Sequence, residues 1–238
     1  MRSLSRRRTL TIMAAACAAT AVSVPSAHSR RVWCGQVLGG EGQLIFDGVS
    51  RDEAEGIVAR VIAEIDRLEQ VFSLFRSHSE ISRLNRDGKL THPSHDLRVV
   101  LAAGLDMWRH SNGAFNPAIQ PLWRALQEHF VYGNAKVDPD PKHISGLLKL
   151  CDAGQVSLGS GGVSLAPGMA LTLNGIAQGY IADKVTEVLM QQGLRDTLVQ
   201  LGETRALPGK TWRIGIDGSN RRFDLKNAAV ATSGGAGT

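Results

Sequence analysis

The chain has 238 residues, 43% hydrophobic and 21% charged, a globular composition that argues against disordered, collagen-like or disulfide-scaffold proteins. Its net charge of +5 does not describe a nucleic-acid face. Arg2, Arg6, Arg7 and Arg8 lie in the first 29 residues, which hold no acidic residue, and the remaining 23 Lys and Arg meet 22 Asp and Glu. No nucleic-acid partner is expected, and no apolar run reaches the roughly 18 residues of a mature membrane span.

Residues 1–29 read as a signal peptide. A basic stretch, Ser5-Arg6-Arg7-Arg8-Thr9-Leu10, precedes an alanine-rich apolar run to Val24. Ala27-His28-Ser29 and Val24-Pro25-Ser26 then offer cleavage sites. The paired arginines resemble a twin-arginine signal, although Thr9 stands where that signal usually has Phe. An ordinary Sec signal and lipidation at Cys17 stay open as alternatives. Export is expected in each case. Cleavage would leave Cys34 and Cys151, read as packing residues, with a disulfide between them possible in an oxidising compartment.

Gln43 to Asp47 alternates as a short strand. Ser50-Arg51-Asp52-Glu53 forms a capping box, and behind it Ile57, Val61, Ile65 and Leu68 recur three and four residues apart, a helix of about 20 residues. A short helix is expected over Ile81 to Arg86, ended at Asp87-Gly88, and another from Asp96 to His110, stopped at Asn112-Gly113. Pro117 and Pro121 punctuate the loop that follows, before a helix from Leu122 to Phe130. Asn134 to His143 reads as a surface connection. Strands are expected at Val156–Leu158, Val163–Leu165, Ala170–Leu173, Leu198–Leu201 and Trp212–Ile216, with a helix through Ile181, Val185 and Leu189 that ends at Gly193. Strands and helices mix without regular alternation, which favours α+β.

Glycine is abundant, at 26 residues against a usual share of about 7%. The most informative stretch is Leu171 to Asp183, a strand, a glycine turn and a helix start. Gly175 and Gly179 would let backbone approach a ligand, and a helix N-terminus suits phosphate. A purely structural turn is the alternative. The histidines show no HxxxH or HExxH spacing, and there is no GxSxG elbow or GxxxxGK[ST] loop.

Five segments in order carry a resemblance. Ser73-Leu74-Phe75-Arg76-Ser77-His78-Ser79-Glu80-Ile81-Ser82-Arg83-Leu84-Asn85, Gly113 to Trp123, Thr172 to Asp183, Leu198 to Glu203 with Trp212 to Ile216, and Val230 to Gly234 together resemble the ApbE family of FAD:protein FMN transferases. The resemblance spans about residues 35–235. It implies an α+β, T-fold-related domain of mixed helices and antiparallel sheet, over residues 30–238. It also implies FAD as substrate, Mg²⁺, and transfer of FMN to a Thr or Ser of an acceptor protein with release of AMP. A periplasmic location and a membrane redox subunit as acceptor go with it, as does the alternative of an exported flavin-binding protein without catalysis. By position it places Leu38, Gly39, Phe75, Ala114, Phe115, Asn116, Thr172 and Gln178 at the flavin nucleotide, and the Gly175 backbone carbonyl at the metal. Asn116 and Thr172 stand where the family has Asp. The family's later H-x-x-D-P-x-T-G and D-x-x-x-T motifs, the second with the principal Mg²⁺ ligands, have no counterpart before Thr238. The domain is therefore expected to be C-terminally incomplete, as a fragment or a natural truncation.

Overall fold

The strands of the computed structural model, which describes residues 30–37, 40–216 and 220–231, pair as an antiparallel five-stranded sheet in the order β1 (Arg31–Val37), β2 (Gly40–Phe46), β6 (Thr197–Leu201), β7 (Glu203–Ala206) and β10 (Ala228–Val230). A three-stranded sheet joins β3 (Lys89–Leu90), β5 (Gly162–Ser164) and β4 (Ser157–Gly159). A hairpin joins β8 (Trp212–Gly215) and β9 (Arg222–Leu225). The predicted signal segment, Leu38 and Gly39 lie outside the described residues.

One face of the main sheet carries the core. Helix α1 (Arg51–Phe72) starts on the predicted capping box: the Glu53 N–H donates to Ser50 Oγ and the Ser50 N–H to Glu53 Oε2 at 3.1 Å. Its stripe of Ile57, Val61, Ile65, Leu68 and Phe72 is buried in one cluster with Leu44, Phe46, Val199 and Leu201 of the sheet and Ile181, Val185 and Leu189 of α6 (Asn174–Gln191). Each such side chain contributes roughly 1.5–3 kcal/mol. Behind this layer pack α2 (Glu80–Asp87) and α3 (His95–His110). Gly88 ends α2 at φ +68°, the left-handed conformation that glycine adopts without strain. The opposite sheet face is smaller. There Leu198 and Ala206 pack under Trp212 and Leu225 of the β8–β9 hairpin, with Arg30 and Lys210 over the Trp212 ring.

The α+β expectation agrees with this arrangement. Four local readings change. Ala170–Leu173 pairs with no strand, and α6 begins at Asn174, well before Ile181, because the two glycines that weaken its helical signal sit in its first turns. The expected connection from 134 to 143 holds only to residue 140, where α5 (Pro141–Leu148) begins, its cap being Asp140, which accepts from the Lys142 N–H at 3.0 Å. The helix read from Leu122 starts earlier, as a 3-10 turn at Pro117–Ile119 continuing into α4 (Gln120–Gln127) and a π turn over Glu128–Tyr132. Strands β1, β7, β9 and β10 had no strong periodic signal because they are short or edge-lying. Cys34 and Cys151 are not joined: Cys34 is exposed on β1, while the Cys151 thiol, pushed up by burial, donates to the Leu147 carbonyl at 3.3 Å.

Candidate functional site

The extended segment 170–173 sits at the centre of the motifs. Leu171 and Leu173 are fully buried, and buried backbone polar groups need partners. Here those partners come from far along the chain. The Leu171 N–H donates to Asn85 Oδ1 at 2.7 Å, and Asn85 Nδ2 donates to the Leu171 carbonyl at 2.8 Å. The Thr172 N–H donates to the Pro117 carbonyl at 2.8 Å. The segment then enters α6, whose N-cap Leu173 provides no side-chain cap; Thr172 Oγ1 accepts from the Asn174 N–H at 3.3 Å instead. A helix start of this kind brings backbone N–H groups and a partial positive charge to its surface.

Two clefts flank that helix start. The larger, about 570 Å³, is lined by Phe75, Asn85, Trp123, Arg124, Thr172 and Asn174 with their neighbours. Phe75 is 77% exposed and Trp123 59% exposed, so two aromatic faces stand open for a planar ring. The smaller, about 260 Å³, is lined by Gly175, Gly179, Asp183, Glu203, Arg205 and Val230 among others. Across it, Arg205 Nε lies 3.7 Å from Asp183 Oδ1.

Of the residues singled out in the sequence, Phe75 and Thr172 meet in the larger cleft and Gly175 opens on the smaller. Phe115 packs beneath the helix start: a Cβ on Gly175 would come within 3.1 Å of its ring. Gln178 lies against the β6–β7 turn, where Gly202 adopts φ +85° and a Cβ would stand 2.8 Å from the Gln178 amide. Ala114 belongs to the turn after α3, its N–H donating to the Ser111 carbonyl. Asn116 serves the fold, with Oδ1 accepting from the Ala118 N–H at 2.9 Å and Nδ2 donating to the Cys151 carbonyl at 2.7 Å. Most of the first motif is also architectural. The hydroxyls of Ser79 and Ser82 both donate to the Ser73 carbonyl, and Arg76 pairs with Asp66 and Glu69.

Trp123, Asn174, Glu203 and Arg205 were not singled out by sequence. Trp123, Asn174 and Glu203 lay inside the five segments, yet nothing in their spacing tells an exposed side chain from a core one. Beneath α6, Tyr180 Oη donates to Asp96 Oδ1 at 2.7 Å and Arg67 Nη1 to Asp96 Oδ2 at 2.6 Å. Burial pushes the Asp96 carboxyl up, but these two hydrogen bonds, with the charges of Arg67 and Lys184, outweigh it and hold the group below the usual carboxylate range. The Tyr180 phenol is pushed well above its ordinary value by burial and by Asp96. This network fastens α6 to α1 and α3.

The model of the ApbE family matches residues 41–237. A FAD:protein FMN transferase of Klebsiella pneumoniae (strain 342) is 34% identical over 175 residues, 70% of this chain and 52% of that protein. Another, from Treponema pallidum (strain Nichols), is 32% identical over 191 residues, 75% of this chain and 48% of that protein. The chain thus spans about half the length of these relatives. Among solved structures, the apo flavinyl transferase ApbE of Pseudomonas stutzeri superposes with a TM-score of 0.72 at 25% identity, covering 89% of this chain and 71% of that one. The flavin transferase ApbE of Vibrio cholerae gives 0.74 at 19% identity over 89% and 74%, a likeness of fold.

Proposed function

The chain belongs to the ApbE family, and on that premise we propose that it is a flavin transferase that takes FAD as substrate and passes its FMN half to a Thr or Ser of an acceptor protein. The observation that carries this reading is convergence. Residues of each of the five segments reach the start of α6, although Trp212 to Ile216 of the fourth pack on the opposite sheet face and 232–234 of the fifth lie outside the described residues: Asn85 and Pro117 bond to residues 171 and 172, Gln178 meets the Gly202 turn, and Glu203 and Val230 line the adjacent cleft.

In the proposed reaction the acceptor hydroxyl oxygen forms a bond to the phosphorus of the FMN half. The bond from that phosphorus to the bridging oxygen breaks, AMP leaves with that oxygen and its electron pair, and the hydroxyl proton passes to water. Phe75 and Trp123 would hold the isoalloxazine between aromatic faces, while the α6 start favours the phosphates. The chemistry that Mg²⁺ would supply is neutralisation of phosphate charge. Gly175 is the residue proposed to lend it a carbonyl. No group of three or more His, Cys, Asp or Glu among the described residues could hold an ion, so these residues do not by themselves make a magnesium site. The proposal extends to export to the periplasm, supported by the signal-like residues 1–29, and to a membrane redox subunit as acceptor.

Titrating FAD into the full chain should quench flavin fluorescence. Adding Mg²⁺ and a Thr-bearing acceptor should release AMP and leave FMN on the acceptor by mass spectrometry. No quenching and no transfer would overturn the proposal. A second reading, an exported flavin-binding protein without transfer, is favoured by Asn116 and Thr172, whose side chains serve backbone capping. FAD binding without AMP release would select it.

A further inference from the structure

Asn85 is half-buried near the end of α2, and its amide engages both polar backbone groups of Leu171, 86 positions away. That pair of bonds copies what a neighbouring strand would supply, which is how 170–173 remains extended outside any sheet. Only a carboxamide offers a donor and an acceptor together at this reach. The platform is rigid. Ile81 and Leu84 of the same helix are fully buried, Ser79 caps its start by accepting from the Ser82 N–H at 3.2 Å, and Gly88 closes its end.

The same motif that carries Asn85 also carries Phe75, one wall of the larger cleft, and Asn85 itself lines that cleft. The segment it grips continues directly into Thr172 and Asn174, which line the same cleft. Resting on the flavin-transferase reading, we propose that Asn85 is a positioning residue. Its two hydrogen bonds set the Thr172–Asn174 wall and the α6 start at the separation from Phe75 that a flavin nucleotide requires.

The test compares the full chain with Asn85→Ala, Asn85→Asp and a control, Val61→Ala, that removes buried volume in α1 away from the clefts. FAD affinity is read by fluorescence quenching and stability by urea unfolding. Losing both bonds should weaken FAD binding about tenfold or more, taking about 1 kcal/mol for each bond. Asn85→Asp has the same shape and keeps the acceptor, but cannot donate to the Leu171 carbonyl when ionised; it should bind FAD more weakly than the parent, by about fivefold for the one lost bond. The control, though less stable than the parent, should bind FAD as the parent does. Parental affinity in Asn85→Ala, or full rescue by Asn85→Asp, would overturn the proposal. If the parent chain itself ignores FAD, the transferase reading fails, and amide hydrogen exchange decides the positioning role separately. Exchange at Leu171 to Ala177 about tenfold faster in Asn85→Ala than in Val61→Ala supports it, and equal exchange overturns it.

Discussion

Helices α1 and α6 contrast in their surroundings with the helical segments between Gln120 and Leu148. The first pair bury a full stripe each, including Leu68, Phe72, Ile181 and Leu189. In α4, the π turn and α5 not one residue is buried, while Trp123, Val131, Tyr132 and Leu148 stand exposed. Burial stabilises the first two. The outer stretch depends on local devices, Pro121 in the first turn of α4 and the Asp140 cap with Pro141 at the start of α5. The lesson is a division of labour. Side chains inside the scaffold are taken up by packing, so the cleft draws Trp123 from the outer stretch and Phe75, Thr172 and Asn174 from the ends of the scaffold helices.

The largest effect should come from the scaffold. Ile181→Ala in α6 should lower stability by about 2–5 kcal/mol in urea unfolding, and an effect under about 0.5 kcal/mol would break the contrast. Asp96→Asn should follow, costing about 2–3 kcal/mol at neutral pH through its bonds to Arg67 and Tyr180. The sign with pH is defined. The Asp96 carboxyl is held below its unfolded value, so its contribution is complete above about pH 4 and is lost as pH falls through the lower folded value. Acid unfolding of the parent should therefore depend more steeply on pH below about 4 than that of Asp96→Asn, which keeps only the dependence of the other carboxyls. Ser50→Ala removes the α1 capping box and should cost about 1 kcal/mol by thermal unfolding. Trp123→Ala should shift stability by less than about 0.5 kcal/mol while reducing flavin quenching. A large stability loss there would erase the contrast, since it would mean that the outer stretch is packed too.

Much of the scaffold was legible because its signals are local. The capping box at Ser50, the spacing of Ile57 to Leu68 and the stop at Gly88 are read within a few residues, and each appears where expected. Other readings failed for equally definite reasons. Leu171 and Leu173 alternate as a strand would, but the groups that satisfy their backbone are a side chain in α2 and the Pro117 carbonyl, which no window around residue 171 contains. Helix α5 is short, buries no residue and hides its cap in a proline-bearing segment. The hydrogen bonds of Asn116 to Ala118 and Cys151 were not legible either, since the Cys151 carbonyl is brought to it by tertiary contact.

By itself the sequence determined the order of the motifs, and with it the family, the caps and the apolar stripes, because these are written in nearest-neighbour spacing along a helix or strand. Only the tertiary structure decided which motif residues reach the clefts and which brace the backbone. Hydrogen bonds such as that from Asn85 to Leu171 join groups 86 positions apart, and no local periodicity encodes a contact made by folding the chain back on itself.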